Sequence, residues 1–302
     1  MSKRWIGNSV LLLGAMIWGA AFVAQSVGMD YLGPFTFQAA RSLLGALVLL
    51  PVIAVMDKRG NPHRPVTPAA QKRQLGYGLL VGVILFAACS LQQCGLLYTA
   101  PGKSGFLTSL YIILVPLVGL LFGRRVKPWI WGSVALAIVG LYLLCGSTEF
   151  SLGPGEWLTL GCALAFCFHI LVIDHISGTV DAVRLSAMQF FVCGMLSLVC
   201  MVIWEQPSWD NLLACWLPIA YAGILSSGLG YTLQIIGQAY TEPTVASLLM
   251  SLESVFSVVF GWIILRSALT PAELVGCCLV FAGVIISQLP GKAPVPNPQK
   301  SH

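Results

Sequence analysis

The chain has 302 residues, of which 57% are apolar and only 9% charged, with a formal charge of +5 and a mean hydropathy of +0.86. Ordinary globular chains carry about 25% charged residues; a surface this poor in charge would not stay dissolved, which excludes a cytosolic enzyme, a nucleic-acid binder and a secreted disulfide scaffold. The bilayer is the solvent such a composition fits, and the net positive charge becomes a signal of topology.

A helix needs about 20 largely apolar residues to cross the hydrocarbon. Ten stretches qualify: residues 8–26, 34–56, 75–97, 103–123, 128–146, 156–173, 183–204, 213–236, 244–265 and 272–289. The run from Leu110 to Phe122 is continuously apolar, so the alternation of a membrane β-barrel is absent. The first span follows Lys3-Arg4 like a signal peptide, but it has a counterpart later in the chain, so its cleavage is not expected. It carries Trp18, far from either interface, and Gln25 seven residues on. The second span holds Gln38 and Arg41 on one face. A hydrophilic loop, Asp57 to Gln74, leads to the third span, near whose end lies Gln92. In the fourth span Ser104, Thr108 and Tyr111 recur at i, i+4 and i+7. The sixth holds His169, near Asp174 and His175 and expected at the interface. In the eighth, Ser227, Tyr231 and Gln234 repeat the same polar spacing, and the ninth contains Glu253. Pro290 to His302 is a polar tail.

Lys and Arg in short loops mark the cytoplasmic side. With the amino terminus inside, that side collects Lys3, Arg4, Lys58, Arg59, Arg64, Lys72, Arg73, Arg124, Arg125, Lys127, Arg184, Lys292 and Lys300, thirteen of the 16 basic residues. Lys103 and Arg266 fall on the other side and Arg41 within a span. The expectation is a multi-pass protein of the cell membrane with both termini cytoplasmic. Trp5, Trp129, Trp131, Trp157, Trp204 and Trp209 lie near span ends, as interfacial anchors do.

The chain repeats itself. At an offset of 142, Gly95, Tyr98, Thr99, Pro101, Leu107, Ser109, Leu110 and Gly119 meet Gly237, Tyr240, Thr241, Pro243, Leu249, Ser251, Leu252 and Gly261; at 143, Pro128 meets Pro271 and Gly140 meets Gly283. Leu13-Gly14 aligns more weakly with Leu160-Gly161. Five helices per half is an odd number, so the second half enters from the opposite face. The fold expected is an all-α polytopic membrane protein of ten transmembrane helices in two inverted five-helix repeats, residues 1–146 and 147–289, with a cytoplasmic tail at 290–302. In transporters so built, substrate sites lie near the midplane between the halves.

The Trp18-Gly19-Ala20-Ala21-Phe22 stretch, Arg41 in the second helix and the segment from Leu91-Gln92-Gln93 to Lys103, joined to the five-plus-five repeat, resemble the drug/metabolite transporter superfamily in its ten-helix EamA-type family. The resemblance covers residues 8–289. It implies a secondary carrier of small polar metabolites, often amino acids and often moved outward, with a central cavity lined by both halves. Two departures stand out. Where members commonly end the fourth and ninth helices with Gly-Glu, this chain has Gly123-Arg124 and Leu265-Arg266, which questions an ion-pair lock there. Where members often have Glu-Pro in the ninth helix, Glu253 is followed by Ser254, so a straighter ninth helix is expected.

A charge at helix centre costs about 2.5–3.5 kcal/mol on insertion scales and requires a partner or a watery cavity. Arg41 and Glu253 are the two mid-span charges, at depths roughly 9 Å apart along the axis at 1.5 Å per residue, so either a structural ion pair or a cavity site accounts for them. The candidate substrate-binding set is Trp18, Gln38, Arg41, Gln92, Thr108, Tyr111, Tyr231, Gln234 and Glu253, with packing and interhelical hydrogen bonding as the plainer account of its uncharged members. Tyr111 is the repeat equivalent of Glu253, so the site should be asymmetric. Glu253 and His169 are the candidates for proton coupling, Glu253 being able to take up or release a proton as Arg41 approaches or leaves.

Gly102-Lys103-Ser104 lacks the upstream Gly of a phosphate-binding loop, since residue 97 is Leu97. Ser104 and His169 lie near opposite faces and make no catalytic set. The ten cysteines show no CxxC spacing and read as small buried hydrophobes. Gly78/Gly82 and Gly119/Gly123 suit close helix packing, more within one chain than between chains. The expected protein is therefore not an enzyme. It is a secondary active exporter of small polar metabolites, without cofactor, metal or nucleic acid, as a monomer or weak homodimer in the lipid bilayer, with proton coupling open. A facilitative or exchange carrier of nucleosides, cofactors or cationic metabolites is the alternative, and an intramembrane enzyme the remote one.

Overall fold

A computed structural model describes residues 3–99, 101–124, 126–145, 153–266 and 270–289. Among them every regular element is helical. The ten long elements are α1 (Lys3–Met29), α2 (Pro34–Lys58), α3 (Pro68–Leu96), α4 in two pieces (Pro101–Ser109 and Tyr111–Leu121), α5 (Pro128–Leu144), α6 (Pro154–Ile176), α7 (Ala182–Trp204), α8 (Trp216–Gln238), α9 in two pieces (Pro243–Met250 and Leu252–Leu265) and α10 (Pro271–Gln288). A short helix, Trp209–Ala214, leads into α8. Seven of the ten begin on proline, whose missing N–H would be orphaned in the first turn in any case and whose fixed φ suits it. α5, at 17 residues, is short for a bilayer about 30 Å thick. Residues 290–302, the expected tail, lie outside the described set.

The helices run alternately up and down, so the chain has a basic end, carrying Lys3, Arg4, Lys58, Arg64, Arg124 and Arg184, and an acidic end, carrying Asp30, Glu156, Glu205 and Glu273. The packing is twofold in pattern. α1 lies against α8 as α6 lies against α3, and α1 against α9 as α6 against α4; α2 pairs with α7 and α5 with α10. Small residues set the crossings. A Cβ on Gly7 would meet Thr241 Oγ1 at 2.6 Å and the Gly237 carbonyl at 3.0 Å, while one on Gly155 would collide with Thr99 and reach the Gly95 carbonyl at 3.0 Å. A Cβ on Gly140 would meet the Gly276 carbonyl at 2.7 Å, and one on Gly283 the Ser133 carbonyl at 2.7 Å. Gly78 and Gly82 pack within the chain, against Met188 and Val192 of α7.

These contacts correct the sequence alignment of the first helices. Gly7 and Gly155 hold equivalent contacts, which sets the α1-to-α6 offset at 148, one residue more than Leu13-Gly14 over Leu160-Gly161 suggests. Trp18 is thereby matched with Phe166 and Phe22 with Ile170. The same offset relates the two clamps on the α2–α7 pair. At the acidic end Glu205 accepts from Phe35 N at 2.8 Å, Thr36 N at 2.7 Å and Thr36 Oγ1 at 2.5 Å. At the basic end its counterpart, Asp57, pairs with Arg184, the counterpart of Thr36, and Arg184 also holds Asp181 at 2.8 Å. Glu205 thus caps the start of α2 through its backbone N–H groups, whereas Asp57 reaches the start of α7 through the Arg184 side chain and Asp181 caps that helix.

Three helices depart from expectation, the first being α4, which is interrupted at Leu110. α9 is interrupted at Ser251 although no proline follows Glu253. Ser247, Ser251 and Ser257 each return their hydroxyl to a carbonyl three residues back, at 2.8 Å, and the Ser254 N–H bonds the Ser251 carbonyl; such back-bonding competes with the helical ladder and bends it without proline. α8 contains a ten-residue π-helix, Tyr221–Gly230. Its Gly223, Ser226, Ser227, Gly228 and Gly230 carry little side chain to crowd a wide turn, and α2 crosses closely there, with Gly45 against Ser227 and the Gly223 carbonyl.

Candidate functional site

A cavity of about 520 Å³ of empty space, its mouth included, lies between the two repeats. It is lined by Trp18, Phe22 and Gln25 of α1, Arg41 of α2, Gln92 of α3, Tyr111 of α4, Phe166 and Ile170 of α6, Ser226, Tyr231 and Gln234 of α8, and Met250 and Glu253 of α9. Four pairs of repeat equivalents face it: Trp18 with Phe166, Phe22 with Ile170, Gln92 with Gln234, and Tyr111 with Glu253. The scaffold is symmetric and the chemistry is not.

The charges decide what the cavity can hold. Arg41 is 5% exposed and donates to Gln38 Oε1 at 3.1 Å, with its guanidinium 5.9 Å from the centre of the Phe37 ring. Its Nε has no partner. Glu253 accepts from the Tyr111 hydroxyl at 3.4 Å. Neither takes part in an ion pair among the described residues; those pairs lie toward the helix ends, as Lys103–Glu156 at 2.8 Å and Arg124–Asp174 at 2.5 Å. Arg124, which replaces the expected Gly-Glu end of α4, thus does make a lock, onto α6. A cation and a carboxylate that share a cavity in low dielectric without meeting leave two strong demands for polar partners. Trp18 Nε1 and Gln25 Oε1 are also buried without partners, and the Trp18 ring lies against Tyr231 with centroids 4.8 Å apart.

Of the nine residues expected to bind substrate, Trp18, Arg41, Gln92, Tyr111, Tyr231, Gln234 and Glu253 line the cavity, whereas Gln38 and Thr108 stand one layer behind. Gln38 holds Arg41 in place and donates to Cys193 Sγ at 3.5 Å. Thr108 accepts from Gln92 Nε2 at 3.3 Å and fixes its amide. His169 is neither interfacial nor on the cavity wall. It is fully buried, bonded through Nε2 to Gln189 Oε1 at 3.1 Å, with its ring edge-on to Tyr231. Gln189 is the repeat equivalent of Arg41, so in one half an Arg faces the cavity where the other half has a Gln–His pair.

Sequence reasoning passed over Phe22, Phe166, Ile170, Ser226 and Met250. Phe166 and Ile170 become visible once the α1-to-α6 offset is 148. In the eighth span the polar spacing begins at Ser227, but the π-helix, with its wider turn, brings Ser226 to the cavity and leaves Ser227 against Gly45.

The two ends of the cavity are unlike. Toward the basic end an apolar cluster of Val81, Ile173, Ile176, Val180, Leu185 and Ile235 closes the bundle, with Gln238 tied to Gln234 at 2.9 Å and to the Ile170 carbonyl at 2.9 Å. Toward the acidic end the equivalents of Ile173 and Ile235 are Gln25 and Gln93, both buried with unpartnered amide atoms. The polar route therefore leads to the acidic end.

The sequence profile of the EamA-like transporter family matches residues 5–146 and 153–289. An uncharacterized transporter of Archaeoglobus fulgidus is 31% identical over 95% of this chain and 87% of its own. A protein of Salmonella typhimurium described as a "Probable amino-acid metabolite efflux pump" is 24% identical over 91% of this chain and 92% of its own. A protein of known crystal structure superposes with a TM-score of 0.78 at 19% identity, over 93% of this chain and 96% of that one, which shows the shared fold.

Proposed function

Since this chain belongs to the EamA-like transporter family, we propose that it is a secondary active transporter that exports small zwitterionic metabolites such as amino acids, by alternating access and without nucleotide hydrolysis. The observation that carries this reading is Arg41 and Glu253 in one cavity, neither in an ion pair among the described residues. A zwitterion satisfies both at once, its carboxylate on the guanidinium fork and its ammonium on Glu253, leaving Trp18, Phe22, Phe166 and Tyr231 to hold its side chain. The amino-acid efflux named for the Salmonella typhimurium relative agrees with that chemistry. Gln38 and Thr108 act here as positioning residues, through Arg41 and Gln92.

Glu253 can hold a proton or the substrate ammonium, and not both with full strength. Protons entering from outside would displace the ammonium and return inward on the carboxylate, which couples export to the proton gradient. His169, sealed behind Tyr231, would serve as a buried support for that wall and not as a proton carrier. The repeats are taken as residues 1–146 and 147–289, with 290–302 as the tail.

The lysine and arginine bias supports a basic end in the cytoplasm of a cell membrane, both termini with it, an orientation in which the cavity faces outward. Single cysteines placed at Asn61 and Gly153 in an otherwise cysteine-free chain should label from opposite sides of sealed vesicles, Asn61 from the cytoplasmic side. Labelling of both from one side overturns the orientation.

Purified chain in proteoliposomes tests the function. Preloaded with an unlabelled amino acid mixture, it should accumulate labelled amino acids by counterflow and ignore the matching amines and carboxylic acids. Accumulation of a nucleoside or a simple amine instead would reject the zwitterion reading.

A further inference from the structure

A second concavity lies on the lipid-facing side of the bundle, away from the central cavity. It runs along α1 and α10 over α9 at the basic end and encloses about 1180 Å³ of empty space, its mouth included. Its walls and floor are apolar: Leu12 from α1, Leu249 and Leu252 from α9, and Phe281, Val284 and Ile285 from α10. Leu249 and Leu252 are nearly buried while Ile285 is 63% exposed, so this is a slot in the bundle surface open to acyl chains. At its membrane-surface end the lining turns polar and basic with Arg4, Trp5, Asn8, Ser9 and Gln288, and no acidic side chain lines it among the described residues. Lys3, one residue before Arg4, is exposed beside it.

We propose that this groove binds one anionic phospholipid of the surrounding bilayer. Three features arranged along the membrane normal match the three parts of such a lipid. Arg4 and Lys3 supply positive charge at headgroup depth, where each basic residue attracts anionic lipid. Trp5, 66% exposed, marks the interface at that level. Just beneath, Gln288 accepts from Asn8 Nδ2 at 2.5 Å through its carbonyl, and the exposed Ser9 on the same rim offers a hydroxyl to which a lipid ester carbonyl can bond at that depth. Below that the wall is wholly apolar. The groove also touches transport machinery indirectly. Leu249 and Leu252 lie on the face of α9 next to that of Met250 and Glu253, which line the central cavity, so an acyl chain in the groove braces the helix that carries Glu253 close to its break at Ser251.

Trp5 is a reporter built into the site. Full-length protein is placed in phosphatidylcholine vesicles containing a minor fraction of either brominated phosphatidylglycerol or brominated phosphatidylcholine, and the Trp5 signal is the difference in emission between the wild type and Trp5→Phe. Brominated phosphatidylglycerol should quench that signal with about fivefold higher relative affinity per basic residue engaged, saturating at one lipid per chain. High salt should bring the two lipids together without any substitution, as should Lys3→Gln with Arg4→Gln. Equal quenching by both lipids in the wild type, or a phosphatidylglycerol preference that survives both salt and the double substitution, overturns the proposal. Quenching by neither lipid means that a protein surface, such as a second copy of this chain, covers the groove, and overturns it as well.

Discussion

Arg41→Ala should abolish uptake of a zwitterionic substrate while leaving the protein folded. Truncating one partner of a buried charge-assisted contact costs about 2–5 kcal/mol, which is a loss of at least about thirtyfold in affinity. The fold should tolerate the change because Arg41 makes no ion pair among the described residues, so its removal strands no buried carboxylate there, and the Gln38 carbonyl it leaves behind is the single side-chain hydrogen-bond partner shown for it. Arg41→Lys keeps the charge and loses the planar fork, so it should recover part of the affinity. Counterflow and melting temperature measured together check this. If Arg41→Ala melts far below the wild type and the remaining folded fraction binds substrate normally, Arg41 is a packing residue.

Glu253→Gln should uncouple the protein from the proton gradient. Glutamine retains the shape and an acceptor oxygen for the substrate ammonium, so counterflow should weaken by about tenfold, the difference between a charged and a neutral hydrogen bond, while transport driven by a pH gradient should vanish. Substrate binding by the wild type should weaken as pH falls, because a protonated Glu253 no longer attracts an ammonium, and binding by Glu253→Gln should be flat with pH over the same range. Full gradient-driven transport by Glu253→Gln would assign the coupling elsewhere and favour metabolite exchange.

The elements of this fold that the sequence exposes are those governed by solvent. Span number follows from hydropathy, and the pairing of α3 with α8, α4 with α9 and α5 with α10 follows from Gly95/Gly237, Pro101/Pro243 and Gly140/Gly283, since glycine and proline report backbone constraint directly. Arg41 and Glu253 announce themselves because a charge is costly at their depth. What stays hidden depends on local departures from the ideal helix. Ser227 satisfies a 3.6-residue period that the π-helix of α8 abandons, and the break in α9 comes from serine back-bonding where proline is the usual cue. The α1-to-α6 register rests on Gly7 and Gly155, whose role is defined by the partners they touch and not by their neighbours in sequence.

Depth within the bundle is a second thing that spacing cannot supply. Thr108 lies three residues before Tyr111, a spacing that puts both toward one side of a continuous helix, yet α4 is interrupted between them at Leu110, and Tyr111 meets the cavity while Thr108 meets Gln92. His169 looked interfacial from its nearness to Asp174 and His175, but α6 continues to Ile176 and places it inside, against Gln189. Polar residues in a membrane bundle serve cavities and interhelical contacts alike, and only the packing distinguishes them.

The central claim is that one zwitterion spans Arg41 and Glu253. An amino acid and its amide differ only in the carboxylate that Arg41 would hold, so their relative affinities in wild type and in Arg41→Gln form a closed cycle. Measured by counterflow competition, the wild type should prefer the acid over the amide by at least about thirtyfold, and in Arg41→Gln that preference should collapse toward unity. A preference for the acid that persists undiminished in Arg41→Gln would contradict the account.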